Sequence, residues 1–158
     1  VVYGLIVGGP EPGRQRYADG LREMARSRGV GDVVLFAGHR SDIREIYAIS
    51  TLVLSLSAKP ESFGRTVLEA LGLGIPVAGY DHGGVGEILR RIYPVGLVSV
   101  GDSEALTKRV KELLAAAPAV PPEPAYPLRR MLDETLALYK TCAGRLGLAR
   151  EADANPLN

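Results

Sequence analysis

The sequence predicts an α/β fold, a Rossmann-like doubly wound parallel sheet of about six strands. Three observations carry this. Short apolar runs alternate with helical patterns along the chain, and the turns between them are short and rich in glycine and proline. The runs are also nearly unbroken by polar residues, as strands covered on both faces require.

Residues 3–7 form the first apolar run, closed by Gly8-Gly9-Pro10. A helix is expected over 13–28, where Tyr17, Leu21, Met24 and Ala25 share one face and Gly29 is a natural stop. Residues 33–37 are the second strand, ended by Gly38-His39-Arg40, and Asp42 is placed to cap a short helix over 43–49. A third strand over 51–56 leads into the loop at Pro60 and a helix over 64–73. Gly74-Ile75-Pro76 turns the chain into a fourth strand, 77–80, and Gly83-Gly84 opens a helix through Leu89. Residues 96–100 are the last strand. Asp102-Ser103 caps an amphipathic helix with Leu106, Val110, Leu113 and Leu114 on one face. Residues 1–116 are expected as the sheet domain and 117–127 as an extended Ala/Pro-rich connector. Residues 128–146 carry a terminal helix with Leu128, Met131, Leu132, Leu136 and Tyr139 as its apolar stripe, and 147–158 are a polar tail.

At 158 residues, 46% apolar and 23% charged, the chain has the composition of one well-cored globular domain. Its net charge of +1 leaves no electrostatic footprint for nucleic acid or an acidic membrane surface. No run approaches the roughly 18 apolar residues of a bilayer span, and no secretory leader is visible. The single cysteine, Cys142, excludes an internal disulfide and suits a reducing, cytoplasmic setting. The chain opens at Val1 inside an apolar run rather than at methionine, as expected of a domain excised from a longer protein.

The glycine loop after the first strand invites two nucleotide-binding readings, and both fail on the residue that carries the chemistry. Pro10 occupies the position where a dinucleotide fingerprint needs glycine. Arg14-Gln15 replaces the Lys-Ser/Thr of a P-loop. What remains is a tight turn into a helix, or a peripheral place beside a ligand.

The chemistry concentrates between Pro60 and Gly84. Glu61 and Glu69 stand eight positions apart around a helix start, with Ser62-Phe63-Gly64 between them. If the helix begins near Gly64, the amides of Phe63, Gly64, Arg65 and Thr66 are helix-start donors, and the macrodipole adds about half a positive charge there. Such a terminus holds a diphosphate without a metal. Eight residues of helix rise about 12 Å, roughly the span from a ribose to a sugar ring across a pyrophosphate. Glu69 would accept both hydroxyls of a ribose and Glu61 the hydroxyls of a sugar. Read blandly, Glu61 is solvated and Glu69 lies on an exposed helix face.

Glu61-Ser-Phe-Gly-Arg-Thr-Val-Leu-Glu69, followed by Gly74-Ile-Pro-Val, resembles the E-x7-E signature of retaining GT-B glycosyltransferases, especially family 4. Ile6-Val-Gly-Gly-Pro10, Val34-Leu-Phe-Ala-Gly-His-Arg-Ser-Asp42 and Asp81-His-Gly-Gly-Val-Gly-Glu87 resemble further stretches of that family, in its order. The resemblance spans roughly residues 3–114. It implies that residues 1–116 are the C-terminal, nucleotide-sugar-binding half of a GT-B fold. The donor would be a UDP-, GDP- or ADP-sugar, used without a metal or other cofactor.

The resemblance also implies residue roles. Glu61, Ser62, Phe63, Gly64, Arg65 and Thr66 would hold the donor sugar and diphosphate, Glu69 the ribose, and the loop of Gly38, His39, Arg40 and Asp42 the base. The terminal helix would pack back towards an N-terminal acceptor domain, which lies outside this sequence together with the family's basic diphosphate-binding pair. The isolated chain would then bind weakly and not turn over, with any membrane contact peripheral and made through the other domain. Gly86 stands where many members have proline, and Arg65 where they commonly have an apolar residue.

The remaining candidates have bland readings beside functional ones. His39 could touch the base or sit in a turn, and His82 could lie near the donor sugar or the domain cleft. Arg90-Arg91 and residues 108–111 read as solvated helix faces, and Cys142 as packing. Two other functions compete: a GT-B nucleotide-sugar epimerase, and a non-catalytic α/β interaction module that would ignore nucleotides.

Overall fold

The computed structural model describes residues 1–10, 13–122 and 126–145. It divides into two compact units, Val1–Ile49 and a second from Ser50 onward. Both are built from parallel strands and helices, so the α/β expectation holds. The described residues contain five strands rather than about six. They form two ladders, one of two strands and one of three.

In the first unit β1 (Gly4–Val7) pairs with β2 (Val34–Gly38), with helix α1 (Gln15–Ser27) between them in sequence and α2 (Ile43–Ala48) after them. The register runs Gly4 to Val34, Leu5 to Leu35 and Ile6 to Phe36, then jumps to Val7 opposite Gly38, so β2 carries one extra residue at Ala37. That shift turns Gly38 to accept the Gly8 amide at 2.8 Å and brings the two strand-end loops together. Helix α1 ends as its sequence predicts. The Gly29 amide donates to the Arg26 carbonyl and the Val30 amide to that of Ala25, the paired bonds of a Schellman stop.

Burial in this unit departs from expectation. Among its described residues only Ala25 and Tyr47 are buried. Every residue of β1 is exposed, and Tyr17 and Met24 on the predicted α1 stripe are exposed as well. An apolar run specifies that a strand needs cover, not that the cover is present. Here β1 has a single ladder neighbour. The Arg22 guanidinium lies over the Phe36 ring at 5.3 Å and partly shields the β2 face.

The second unit holds the core. Strands β3 (Val53–Ser55), β4 (Val77–Tyr80) and β5 (Leu97–Val98) lie side by side in that order, all parallel. Helix α3 (Arg65–Gly72) connects β3 to β4, and α4 (Gly83–Ile92) with a 3-10 turn at Pro94–Gly96 connects β4 to β5. Val67, Ala70 and Leu71 of α3, Val77 and Ala78 of β4, and Val85, Ile88 and Leu89 of α4 are buried together with Leu113 of α5 (Ser103–Ala116). Each large side chain so buried is worth about 1.5–3 kcal/mol. β5 is shorter than its apolar run, because the 3-10 turn takes up Gly96 and residues 99–100 enter the turn closed by the Asp102 amide on the Ser99 carbonyl.

The two predicted aspartate caps resolve differently. Asp102 accepts the Ala105 amide at 2.8 Å and caps α5. Asp42 sits at the start of α2 but makes no cap bond, because its carboxylate is taken by Arg40. The connector leaves α5 at Ala117 in extended backbone, while residues 123–125 and the tail 147–158 lie outside the described residues. Helix α6 (Leu128–Arg145) follows, and Leu128, Met131, Leu132, Leu136 and Tyr139 of its stripe are all exposed. No described helix is long and apolar enough to cross a membrane.

This division of burial is testable. Leu89→Ala, at 0% exposure, should cost about 2–5 kcal/mol. Leu136→Ala, at 55% exposure, should change stability by no more than about 0.5 kcal/mol. Urea unfolding midpoints of the two variants against the parent check both.

Candidate functional site

The loop between β3 and α3 rests on the first turn of α4, backbone against backbone. The Glu61 carbonyl accepts the Gly84 amide at 2.9 Å. A Cβ at Gly84 would lie 2.2 Å from the Phe63 carbonyl oxygen, and one at Gly83 would lie 2.6 Å from that of Glu61. From the other side, a Cβ at Gly64 would meet the Val85 amide nitrogen at 3.1 Å. Gly64 also has φ +86°, a left-handed conformation that side-chain-bearing residues rarely adopt. Gly64 thereby lets the loop lie directly on the backbone of α4.

Gly64 caps α3 without a side chain, so the amides of Arg65 and Thr66 head the helix as its leading donors. Two helix starts, those of α3 and α4, therefore meet around residues 60–64, and each adds positive potential. Glu61 precedes this turn. Glu69 is the fifth residue of α3, on the side away from the buried Val67, Ala70 and Leu71. The Arg65 guanidinium donates to one Glu69 carboxylate oxygen at 3.1 Å, and the two side chains are 82% and 44% exposed. Arg65 therefore neutralises the carboxylate expected to bind a ribose. The loop brings Glu61, Ser62, Phe63, Gly64, Arg65 and Thr66 into one turn, with Glu69 one helical turn beyond Arg65.

Further contacts hold the segments around this turn, and the sequence reading assigned none of them. The His82 ring nitrogen Nε2 lies 2.9 Å from the Ser57 carbonyl, and the ring meets Tyr80 edge-on at 6.4 Å. His82 is engaged with the backbone that leads into the loop. Arg90 pairs with Asp81 at 2.6 Å, and Arg91 lies over the Tyr126 ring at 5.1 Å. Both arginines lie on an exposed face, as the sequence predicts, and each has a specific partner there. Gly86 fits the same arrangement: its amide donates to the His82 carbonyl at 3.0 Å, and a Cβ there would come 2.7 Å from the Asp81 carboxylate. Among the described residues no three His, Cys, Asp or Glu side chains gather as a metal cage.

The first unit carries the other predicted residues. Gly9 lies against His39, with a Cβ at Gly9 falling 3.6 Å from the His39 amide nitrogen, so the glycine turn after β1 and the Gly38–Arg40 turn after β2 are neighbours. Arg40 grips Asp42 with both ends of its guanidinium, through Nε at 2.7 Å and through a terminal nitrogen. The hydrogen bond from Arg40 holds the Asp42 carboxyl below the usual carboxylate range. The pair ties the two ends of this short loop segment together.

Two predictions follow from these contacts. Gly84→Ala should cost at least about 1–3 kcal/mol, since its methyl group and the Phe63 carbonyl cannot share the space, and thermal unfolding measures this. Because the folded-state value of Asp42 is lowered, its stabilising contribution is present above the unfolded value near about 4 and fades as pH falls through the folded one. Asp42→Asn should therefore be less stable than the parent at neutral pH, with the gap closing in acid. Urea midpoints across the acid range would show it.

With this geometry in view, the chain matches known proteins over most of its described length. The sequence pattern of the family described as "Glycosyl transferases group 1" covers residues 2–126. The N-acetyl-alpha-D-glucosaminyl L-malate synthase of Bacillus anthracis is 35% identical over 94 residues, which are 60% of this chain and 24% of that protein. A D-inositol 3-phosphate glycosyltransferase of Rhodococcus erythropolis is 38% identical over 88 residues, 54% of this chain and 20% of that one. The crystal structure of Anabaena Alr3699/HepE in complex with UDP superposes with a TM-score of 0.67 at 31% identity, over 72% of this chain and 31% of its own. The chain thus spans between a fifth and a third of the length of these relatives. On this evidence it belongs to the group 1 glycosyltransferases and has their GT-B type of α/β fold.

Proposed function

We propose that the chain is the donor-binding, C-terminal half of a retaining, metal-independent glycosyltransferase. The whole enzyme would move a hexose-type sugar from a nucleoside diphosphate to an acceptor held by an N-terminal domain. The carrying observation is the seating of residues 60–64 on the first turn of α4. It presents the start of α3 beside Glu61 and Glu69 with little freedom to move.

In this reading Glu61 accepts hydroxyls of the donor sugar, and Ser62, Phe63, Gly64 and Thr66 line the sugar and diphosphate with their backbone. Arg65 adds a positive charge at the diphosphate, and Glu69 takes the ribose hydroxyls. Gly38, His39, Arg40 and Asp42 are assigned to the base. As the bond between the sugar and the diphosphate breaks, negative charge grows on the departing oxygen. Helix-start amides fixed in advance stabilise that charge without reorganising. UDP is the first choice of nucleotide, because a solved relative holds UDP and UDP-glucose. The unburied stripe of α6 supports a seat for the N-terminal domain.

The test is a calorimetric titration of the chain with UDP, GDP and ADP, repeated on Glu69→Ala. Loss of two charge-assisted hydrogen bonds, about 1.5–3 kcal/mol each, should weaken UDP at least tenfold. The Arg65–Glu69 pair is solvent-exposed, so its loss should leave stability within about 1 kcal/mol. UDP affinity that is indifferent to Glu69→Ala would sink the ribose assignment.

A further inference from the structure

The described ends of the connector after α5 contact Tyr93 and the loop before α3. The Tyr93 hydroxyl donates to the Pro118 carbonyl at 2.9 Å, and burial pushes that phenol's pKa up, which keeps the proton in place. At the far end of the connector, Tyr126 meets the Phe63 ring edge-on, centroids 6.1 Å apart and planes at 77°. The Arg91 guanidinium covers the same tyrosine ring at 5.1 Å. Phe63 is 47% exposed, and its carbonyl is the atom packed against Gly84. One end of α4 therefore holds the loop's backbone through Gly83 and Gly84. The other end holds, through Arg91, the ring that steadies the loop's side chain.

We propose that Tyr126 is a positioning residue for the donor loop. With Arg91 it clamps Phe63 and holds the Phe63–Gly64 turn, and the α3 amides that follow it, in their binding arrangement. An exposed aromatic in a turn beside Gly64 has no reason of its own to stay in one rotamer. An edge-on partner backed by a cation supplies that reason. Tyr126 stands two residues before α6, whose Met131 amide donates to the Pro127 carbonyl at 3.3 Å. The clamp consequently ties the order of the donor loop to the place where α6 begins, so whatever fixes α6 also steadies the loop. The functional consequence rests on the nucleotide-sugar reading, but the clamp itself does not.

The experiment compares the parent chain with Tyr126→Ala, Tyr126→Phe and Arg91→Gln. Amide hydrogen exchange is followed at residues 61–66, with the α5 amides around the buried Leu113 as an internal control. Tyr126→Ala should speed exchange at 61–66 several-fold and leave α5 unchanged. Tyr126→Phe should match the parent, because the ring and not the hydroxyl makes the contact. Arg91→Gln should fall between. In parallel, the UDP dissociation constant should rise about three- to tenfold in Tyr126→Ala and return in Tyr126→Phe. Should Tyr126→Ala unfold, Tyr126→Leu keeps the apolar bulk without an aromatic edge. Unchanged exchange at 61–66 in the truncated variant, or a phenylalanine variant that behaves like it, overturns the clamp. A parent chain that binds no UDP counts against the nucleotide-sugar reading, and the exchange data still decide the clamp.

Discussion

The arrangement of the second unit depends on one close contact, the backbone of residues 60–64 lying directly on the first turn of α4. Side chains ordinarily keep a loop and a helix several ångströms apart. Here Gly64 on one surface and Gly83 and Gly84 on the other remove them, and the Gly84 amide bonds the Glu61 carbonyl in the space released. Backbone contact of this kind is stiff, because it has no rotamers to explore. It sets the direction of α3, and with it the positions of Glu61 and Glu69. The buried residues of α3, β4 and α4 then hold both helices against the three-stranded ladder.

Around that contact the molecule places braces rather than additional ligands. His82 ties the start of α4 to the Ser57 carbonyl, Arg90 holds Asp81, and Arg91 with Tyr126 backs Phe63. Each uses a polar or aromatic side chain to fix backbone that the hydrophobic core does not reach. The same economy operates in the first unit, where Arg40 spends its guanidinium on Asp42 and thereby sets the turn after β2. A binding surface made largely of main-chain groups needs supports of this sort, since amides hold a ligand well only when they are already aimed.

Much of this was legible in the sequence, and the parts that were not share a cause. Helix and strand positions came through because periodicity and turn chemistry are local: Gly29 stopped α1 and Asp102 capped α5 where their residue types place them. The spacing of Glu61 and Glu69 about a helix start was likewise readable. The fate of Asp42 was not, because a nearby arginine competes for its carboxylate and the sequence does not rank the two bonds. Tyr126 was hidden for a similar reason. Its partner Phe63 is more than sixty positions away, and its only local signal was an isolated aromatic in an Ala/Pro segment. The exposure of β1 and of the α6 stripe was also out of reach, since an apolar pattern states a need for burial and says nothing of how it is met.

The Arg65–Glu69 pair has a consequence for recognition. A hydroxylated ligand that needs Glu69 does not meet a bare carboxylate; it arrives at one already satisfied. Binding is then an exchange of partners, and an exposed pair worth up to about 1 kcal/mol lowers the apparent affinity by as much as about fivefold. Ionic strength acts on the two sides of that exchange in opposite senses. Salt loosens the arginine from Glu69, which in the proposed reading would help a neutral nucleoside, while it would weaken the pull of the same arginine on a charged diphosphate. On the proposed donor-binding reading, the preference between nucleoside and nucleotide would shift with the electrolyte around the chain, set by a single helical turn.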